Sequence, residues 1–144
     1  TRALWSARKA LSPAQRTISP NKINEDVVVP VSHLPALVDG IKLLSAKHEV
    51  LIVSFGHAGN GNLHVNLLPR DEAERERAHT CLREVFKAVI ALDGTLSGEH
   101  GIGTAKRDFM AQAVDAEALA LMRDVMRAFD ADGILNPGKL LPDG

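Results

Sequence analysis

Val50-Leu51-Ile52-Val53-Ser54-Phe55-Gly56-His57-Ala58-Gly59-Asn60-Gly61-Asn62-Leu63-His64-Val65-Asn66-Leu67-Leu68 is the stretch on which the fold turns. Two apolar runs flank Asn60-Gly61, a pair favoured in type I′ hairpins because both central residues must take positive φ. The stretch therefore predicts antiparallel strands at Val50 to Phe55 and Leu63 to Leu68. With Asn60-Gly61 at the centre, Gly59 faces Asn62, Ala58 faces Leu63 and His57 faces His64. Directly opposed residues share a face with Cβ atoms roughly 4.5–5.5 Å apart, so the two imidazoles can grip one metal ion. A solvated pair of loop histidines is the plainer alternative. Asn66, two residues beyond His64, lies on the same face.

Upstream, Ser32 can cap a helix whose apolar positions Leu34, Leu37, Val38, Ile41 and Leu44 keep a helical period to about Lys47. Glu25-Asp26-Val27-Val28-Val29-Pro30 reads as a strand stopped by proline. The first segment is weakly helical to about Leu11 and closed by Ser12-Pro13, with a loop from Arg16 to Asn21. Downstream, Asp71 and Glu74 form a capping signal for a long helix with Ala78, Leu82, Val85, Phe86, Val89 and Leu92 inward. Gly94 is its expected left-handed stop. Thr95-Leu96-Ser97 reads as a short fourth strand. Asp115 starts the last long helix, with Ala118, Met122, Val125 and Phe129 as its apolar face and Gly133 as its stop. The order predicts an α+β fold: a ferredoxin-like split βαβ with an antiparallel sheet, helices on one face, and further C-terminal helices.

The 144 residues suffice for one domain with a real core. A net charge of −1 argues against a nucleic-acid partner. The single cysteine, Cys81, excludes an internal disulfide and fits a reducing compartment. No run approaches the ~18 apolar residues of a membrane span. The chain opens at Thr1 and enters at once the pattern Leu4-Trp5-Ala7-Arg8-Leu11, which reads as the interior of something larger. It is expected to be a C-terminal piece of a longer protein.

The second chemically loaded stretch is Ser97-Gly98-Glu99-His100-Gly101-Ile102-Gly103. A carboxylate beside an imidazole, on a backbone free to bend, can divide its labour: Glu99 to a metal, His100 to a proton. Two histidines and one glutamate leave a fourth position open, the pattern of a catalytic metal site. A glycine loop whose charges merely face water is the alternative. Arg8 and Lys22 lie before the first strand near polar Ser12, and an arginine fork there can hold a carboxylate bidentately. Solvation is the simpler reading of Arg8, Lys106, Arg107 and Lys139. His33, His48 and His79 lack such company and read as structural or surface residues.

Gly56-His57-Ala58-Gly59-Asn60-Gly61-Asn62-Leu63-His64, Gly98-Glu99-His100-Gly101-Ile102-Gly103 and Asn136-Pro137-Gly138-Lys139 resemble the C-terminal domain of FAD-linked 2-hydroxy-acid oxidases and dehydrogenases. That group contains the glycolate oxidase flavin subunit, D-lactate dehydrogenases and D-2-hydroxyglutarate dehydrogenase. The likeness extends to Trp5-Ser6-Ala7-Arg8 and Glu25 to Pro30, so it spans nearly the whole chain. It implies that His57, His64 and Glu99 ligate a divalent metal such as zinc, and that His100 takes the substrate's hydroxyl proton. It also places Arg8, Ser12, Lys22 and Asn66 at substrate-binding positions, Ser12 where some members carry threonine and Lys22 at an altered spacing from Asp26. Asn60 stands in place of the usual Asp; the turn is favoured by either, but one negative charge near the metal is lost.

The resemblance further implies FAD bound mainly by an N-terminal domain outside residues 1–144, which form the substrate- and metal-binding cap. The substrate is then a small 2-hydroxy acid, the location cytoplasmic or peripheral to the inner membrane, and homo-oligomers are allowed. A metal-dependent hydrolase and a non-catalytic metal-binding or oligomerisation module are the competing functions.

Overall fold

The structure is a computed structural model and describes residues 2–142. Helix α1 (Arg2–Ile18) leads into strand β1 (Ile23–Val28). A 3₁₀ turn (Val31–His33) precedes α2 (Leu34–His48), followed by β2 (Ile52–His57), a second 3₁₀ turn (Ala58–Asn60) and β3 (Asn62–Leu67). Then come α3 (Glu72–Ala91), a 3₁₀ turn (Arg107–Phe109), short α4 (Met110–Ala113) and α5 (Ala116–Phe129). The sheet order is β1-β3-β2, with β3 antiparallel to both neighbours. The crossover β1-α2-β2 therefore joins two parallel strands with a third inserted between them, the split βαβ expected.

Alternation along the strands builds two different faces. Val27, Leu63, Val65 and Leu67 meet Leu37 and Ile41 of α2 and Ala78, Leu82, Val85, Phe86 and Val89 of α3 in one core. Asp71 caps α3 as read: its carboxylate accepts the Glu74 N–H at 2.8 Å. The opposite face presents Asp26, Asn62, His64 and Asn66, all buried yet polar. A satellite cluster of Met110, Leu119 and Leu141 joins the main core through Ile102.

The structure corrects several local expectations. Helix α1 does not stop near Leu11; it runs through Ser12-Pro13 to Ile18. Tertiary ties outweigh the one hydrogen bond that proline deletes, for Lys22 grips Ser12 and Gln15, and Ser19 Oγ donates to Pro69 O at 2.6 Å. Ser32 sits in a 3₁₀ turn and caps nothing, α2 starting one residue after His33. The left-handed residue after α3 is Asp93 (φ 56°), not Gly94, which instead packs against the Val28 carbonyl. Thr95 makes only a single bridge to Val28, so the fourth strand shrinks to one pair.

The hairpin turn is not type I′. Only Gly61 takes positive φ (77°), and Ala58–Asn60 wind into a 3₁₀ turn stitched by Asn60 Oδ1 accepting the Asn62 N–H. The register moves accordingly: His57 faces Asn62, and Phe55 faces His64. The last helix also differs. Leu119 is its buried residue, while Val125 and Phe129 are 50% and 85% exposed, so its apolar stripe is largely uncovered. Among the described residues no helix is long and apolar enough to cross a membrane.

Candidate metal and substrate site

Strand β3 is the spine of the site, because it lies between two partners and all six of its residues are buried. His64 projects from its polar face. His57, at the end of β2, is a diagonal neighbour on that face, the two rings lying 5.7 Å apart and near-perpendicular. The register slip of two residues preserves the shared face, since side chains alternate with period two. Glu99 arrives from the segment after α3. Its Oε1 lies 3.0 Å from His64 Nε2 and 3.8 Å from His57 Nε2. One ligand atom from each of these three residues falls within a 4.8 Å cluster.

The donor set suits a divalent ion: two imidazole nitrogens and one carboxylate oxygen, with room for a fourth ligand. Burial, strengthened by the neighbouring His57 and His100, lowers the His64 pKa against the opposing pull of Glu99. Its imidazole is thereby favoured in the neutral, ligand-competent form.

His100 stacks on His64 with ring centroids 5.3 Å apart, and its Nδ1 lies 3.5 Å from Asp26 Oδ1. Asp26 itself is fully buried. Its Oδ2 accepts the backbone N–H groups of Gly98 (2.7 Å), Glu99 (2.5 Å) and His100 (3.0 Å), and its Oδ1 accepts from Lys106 Nζ at 2.7 Å. Burial would raise this carboxyl, but the Lys106 bond and the Glu99 and His100 amides win and hold it well below the usual range. Gly98 must be glycine for this approach, as a Cβ there would lie 2.9 Å from the Asn62 amide carbon and 2.7 Å from a Val28 methyl.

The same face carries a second cluster. Lys22 Nζ donates to Ser12 Oγ (3.0 Å), Gln15 Oε1 (2.9 Å) and Asn66 Oδ1 (3.1 Å), all uncharged acceptors. Burial, and secondarily the Arg16 charge, lowers the Lys22 pKa. Those three bonds engage all three N–H donors of the ammonium, and none of the acceptors carries a charge. Arg8 lies on α1 one turn before Ser12 and is exposed. His64 and Asn66, two residues apart, stand about 7 Å from each other along the strand.

Of the residues singled out from the sequence, His57, His64, Glu99 and His100 form one group and Ser12, Lys22 and Asn66 another, while Arg8 is exposed on α1. Lys106 is a correction: it is not solvated but 2% exposed, paired with Asp26 and, at 3.3 Å, with Glu25. Asp26, Asn62 and Gln15 were missed as site residues. The available signal was Glu25-Asp26, two acids inside a β-branched run, where an unpaired charge is costly. His33 bonds Leu92 O through Nδ1 (2.9 Å), His48 Nε2 lies 3.2 Å from a Glu84 carboxylate oxygen, and His79 is exposed.

The α+β sheet thus carries a His-His-Glu cluster and a separate lysine-centred cluster on one polar face. The chain belongs to the family described as FAD linked oxidases, C-terminal domain, whose model matches residues 1–140. It is 38% identical over 140 residues to the glycolate oxidase subunit GlcD of Bacillus subtilis (strain 168), covering 96% of this chain and 30% of that one. It is 34% identical over 143 residues to the mitochondrial D-lactate dehydrogenase [cytochrome] of Arabidopsis thaliana, covering 96% and 25%. A D-2-hydroxyglutarate dehydrogenase of Stutzerimonas stutzeri (strain A1501) is likewise 34% identical over 143 residues, covering 95% and 30%. The chain thus spans less than a third of the length of these relatives.

Proposed function

We propose that this chain is the substrate- and metal-binding cap of a flavoprotein that oxidises a small 2-hydroxy acid, of the glycolate, D-lactate or D-2-hydroxyglutarate type, to the 2-oxo acid. The observation that carries the reading is the convergence of His57, His64 and Glu99 beside His100, on one face with the Lys22–Asn66 pocket. His57, His64 and Glu99 would hold a divalent metal such as zinc, which as a Lewis acid lowers the pKa of a bound hydroxyl.

FAD supplies the acceptor for the carbinol hydride and is held mainly outside this chain in this reading. The glycine-rich segment here is no phosphate cradle, since the successive N–H groups of residues 98–100 are already committed to Asp26. Lys22 and Arg8 supply positive charge for the substrate carboxylate, with Ser12 and Asn66 orienting it. His100, with Nδ1 turned to Asp26, keeps Nε2 to accept the hydroxyl proton.

The test uses the full-length protein under anaerobic conditions. Glycolate, D-lactate or D-2-hydroxyglutarate should bleach the flavin absorbance. His100→Asn should lower kcat by about 10²–10⁴-fold with substrate affinity nearly unchanged. Glu99→Gln should instead weaken metal retention and raise KM. Failure of all three acids to reduce the flavin, with flavin-independent hydrolysis of esters or phosphates in its place, would overturn the proposal.

A further inference from the structure

We propose that Asp26 is a positioning residue of this site, orienting Glu99 through the backbone and His100 through both backbone and ring. The inference rests on the metal-and-base reading above and adds to it a residue that offers no ligand atom to the cluster.

The geometry starts from the sheet. Asp26 on β1 lies directly opposite His64 on β3, so the anchor and a metal-site histidine occupy one row of the same face. From there one carboxylate oxygen gathers three consecutive amides, Gly98, Glu99 and His100, within 2.5 to 3.0 Å. Three adjacent N–H groups aimed at one point fix the backbone on both sides of Glu99, and with it the direction in which its side chain leaves toward His57 and His64. The other oxygen lies 3.5 Å from His100 Nδ1. A carboxylate at that nitrogen sets the ring's orientation and leaves Nε2 as the free base, the division of roles seen wherever a buried acid backs a catalytic imidazole.

Lys106 keeps the anchor from turning. Its ammonium bonds both Asp26 Oδ1 (2.7 Å) and the Asp26 carbonyl (3.0 Å), which ties the side chain to its own backbone. Stability alone is a poor reason for this arrangement. A buried ion pair gains little over well-packed apolar side chains of similar volume, whereas it specifies direction in a way they cannot.

Two readouts on the full-length, metal-stripped protein test the proposal: amide exchange across residues 98–101, and cobalt(II) affinity followed by visible absorption. In Asp26→Asn the amides of 98–100 should exchange at least tenfold faster while the α2 and α3 amides stay protected. Cobalt affinity should fall by about 10–100-fold. Ser97→Ala is the milder arm, because Ser97 Oγ donates to Asp26 (3.3 Å) and accepts from the Gly101 N–H (2.8 Å) without carrying charge. It should shift both readouts in the same direction by about fivefold or less, and it decides the question if Asp26→Asn does not fold. Unchanged exchange at 98–100 overturns the anchoring. Faster exchange with undiminished cobalt affinity overturns the positioning role. A wild-type protein that binds no cobalt sinks the metal reading itself, and the exchange arm still decides whether Asp26 holds the segment.

Discussion

Replacing Gly61 by alanine tests the hairpin most directly, because two penalties fall on one position. Gly61 has φ 77°, a left-handed conformation that costs a residue with a Cβ about 1–2 kcal/mol. The added Cβ would also stand 1.9 Å from the Val29 carbonyl oxygen, whereas real Cβ atoms essentially never come within 3.0 Å. The tip must therefore retreat from β1 by about 1 Å. That retreat strains or breaks the bond from Val29 N–H to Gly61 O, now 3.2 Å, for about another 1 kcal/mol. The sum is about 2–3 kcal/mol, which at a typical urea slope of about 1–3 kcal/mol/M moves the unfolding midpoint down by about 0.7–3 M.

Gly59→Ala is the matched control, two residues away on the same turn. Gly59 has no positive φ and nothing within 4 Å of the added Cβ, so the change should be neutral or stabilising by up to about 1 kcal/mol. Urea unfolding of both variants, followed by far-UV circular dichroism, reads the difference. Equal midpoints for the two would refute the described turn.

Three further outcomes are expected. The 144-residue chain should retain no stoichiometric FAD on purification, since the amides of its glycine segment already serve Asp26; a flavin absorbance band at unit stoichiometry would contradict this. Zinc at about a hundred times its dissociation constant should stabilise the chain by about 2.7 kcal/mol, and the gain should vanish in His64→Ala; equal gains in both proteins would mean the ion binds elsewhere. Burial pushes the Cys81 thiol up to about 11, so it should react with thiol reagents only after unfolding. Because the folded state resists forming this thiolate, stability should decline as pH rises from about 8.5, the unfolded thiol's value, toward 11, and Cys81→Ala should flatten that decline.

Local pattern was enough to read β2, β3, α2 and α3, because each buries a face whose period is written in consecutive residues. It was also enough to put His57 and His64 on one face, even though the turn was misjudged: the observed register is displaced by two residues, and parity survives an even displacement. The pairing of Asp26 with Lys106 was illegible for the opposite reason. The two meet across 80 residues of chain, and nothing near either one announces the other. Proline at 13 misled because its cost is local while the ties that extend α1 come from Lys22 and Ser19. In α5 the period correctly announces an amphipathic helix, but period does not say which part of a stripe is covered, and Phe129 lies almost bare.

The placement of His64 and Asn66 on one central strand makes that strand a ruler. Whatever spans from the histidine cluster to the Lys22 ammonium is measured in steps of two residues, about 7 Å each, and not in the continuous increments that side-chain repacking allows. Neighbouring side chains can trim the gap at its ends by changing length. Lengthening it by a full step would mean moving a functional group from position 66 to position 68, where Leu68 already lies in the interior at 0% exposure. On the function proposed above, the scaffold thus sets a coarse size limit on the substrate, and only the chemistry at the two ends remains free to vary.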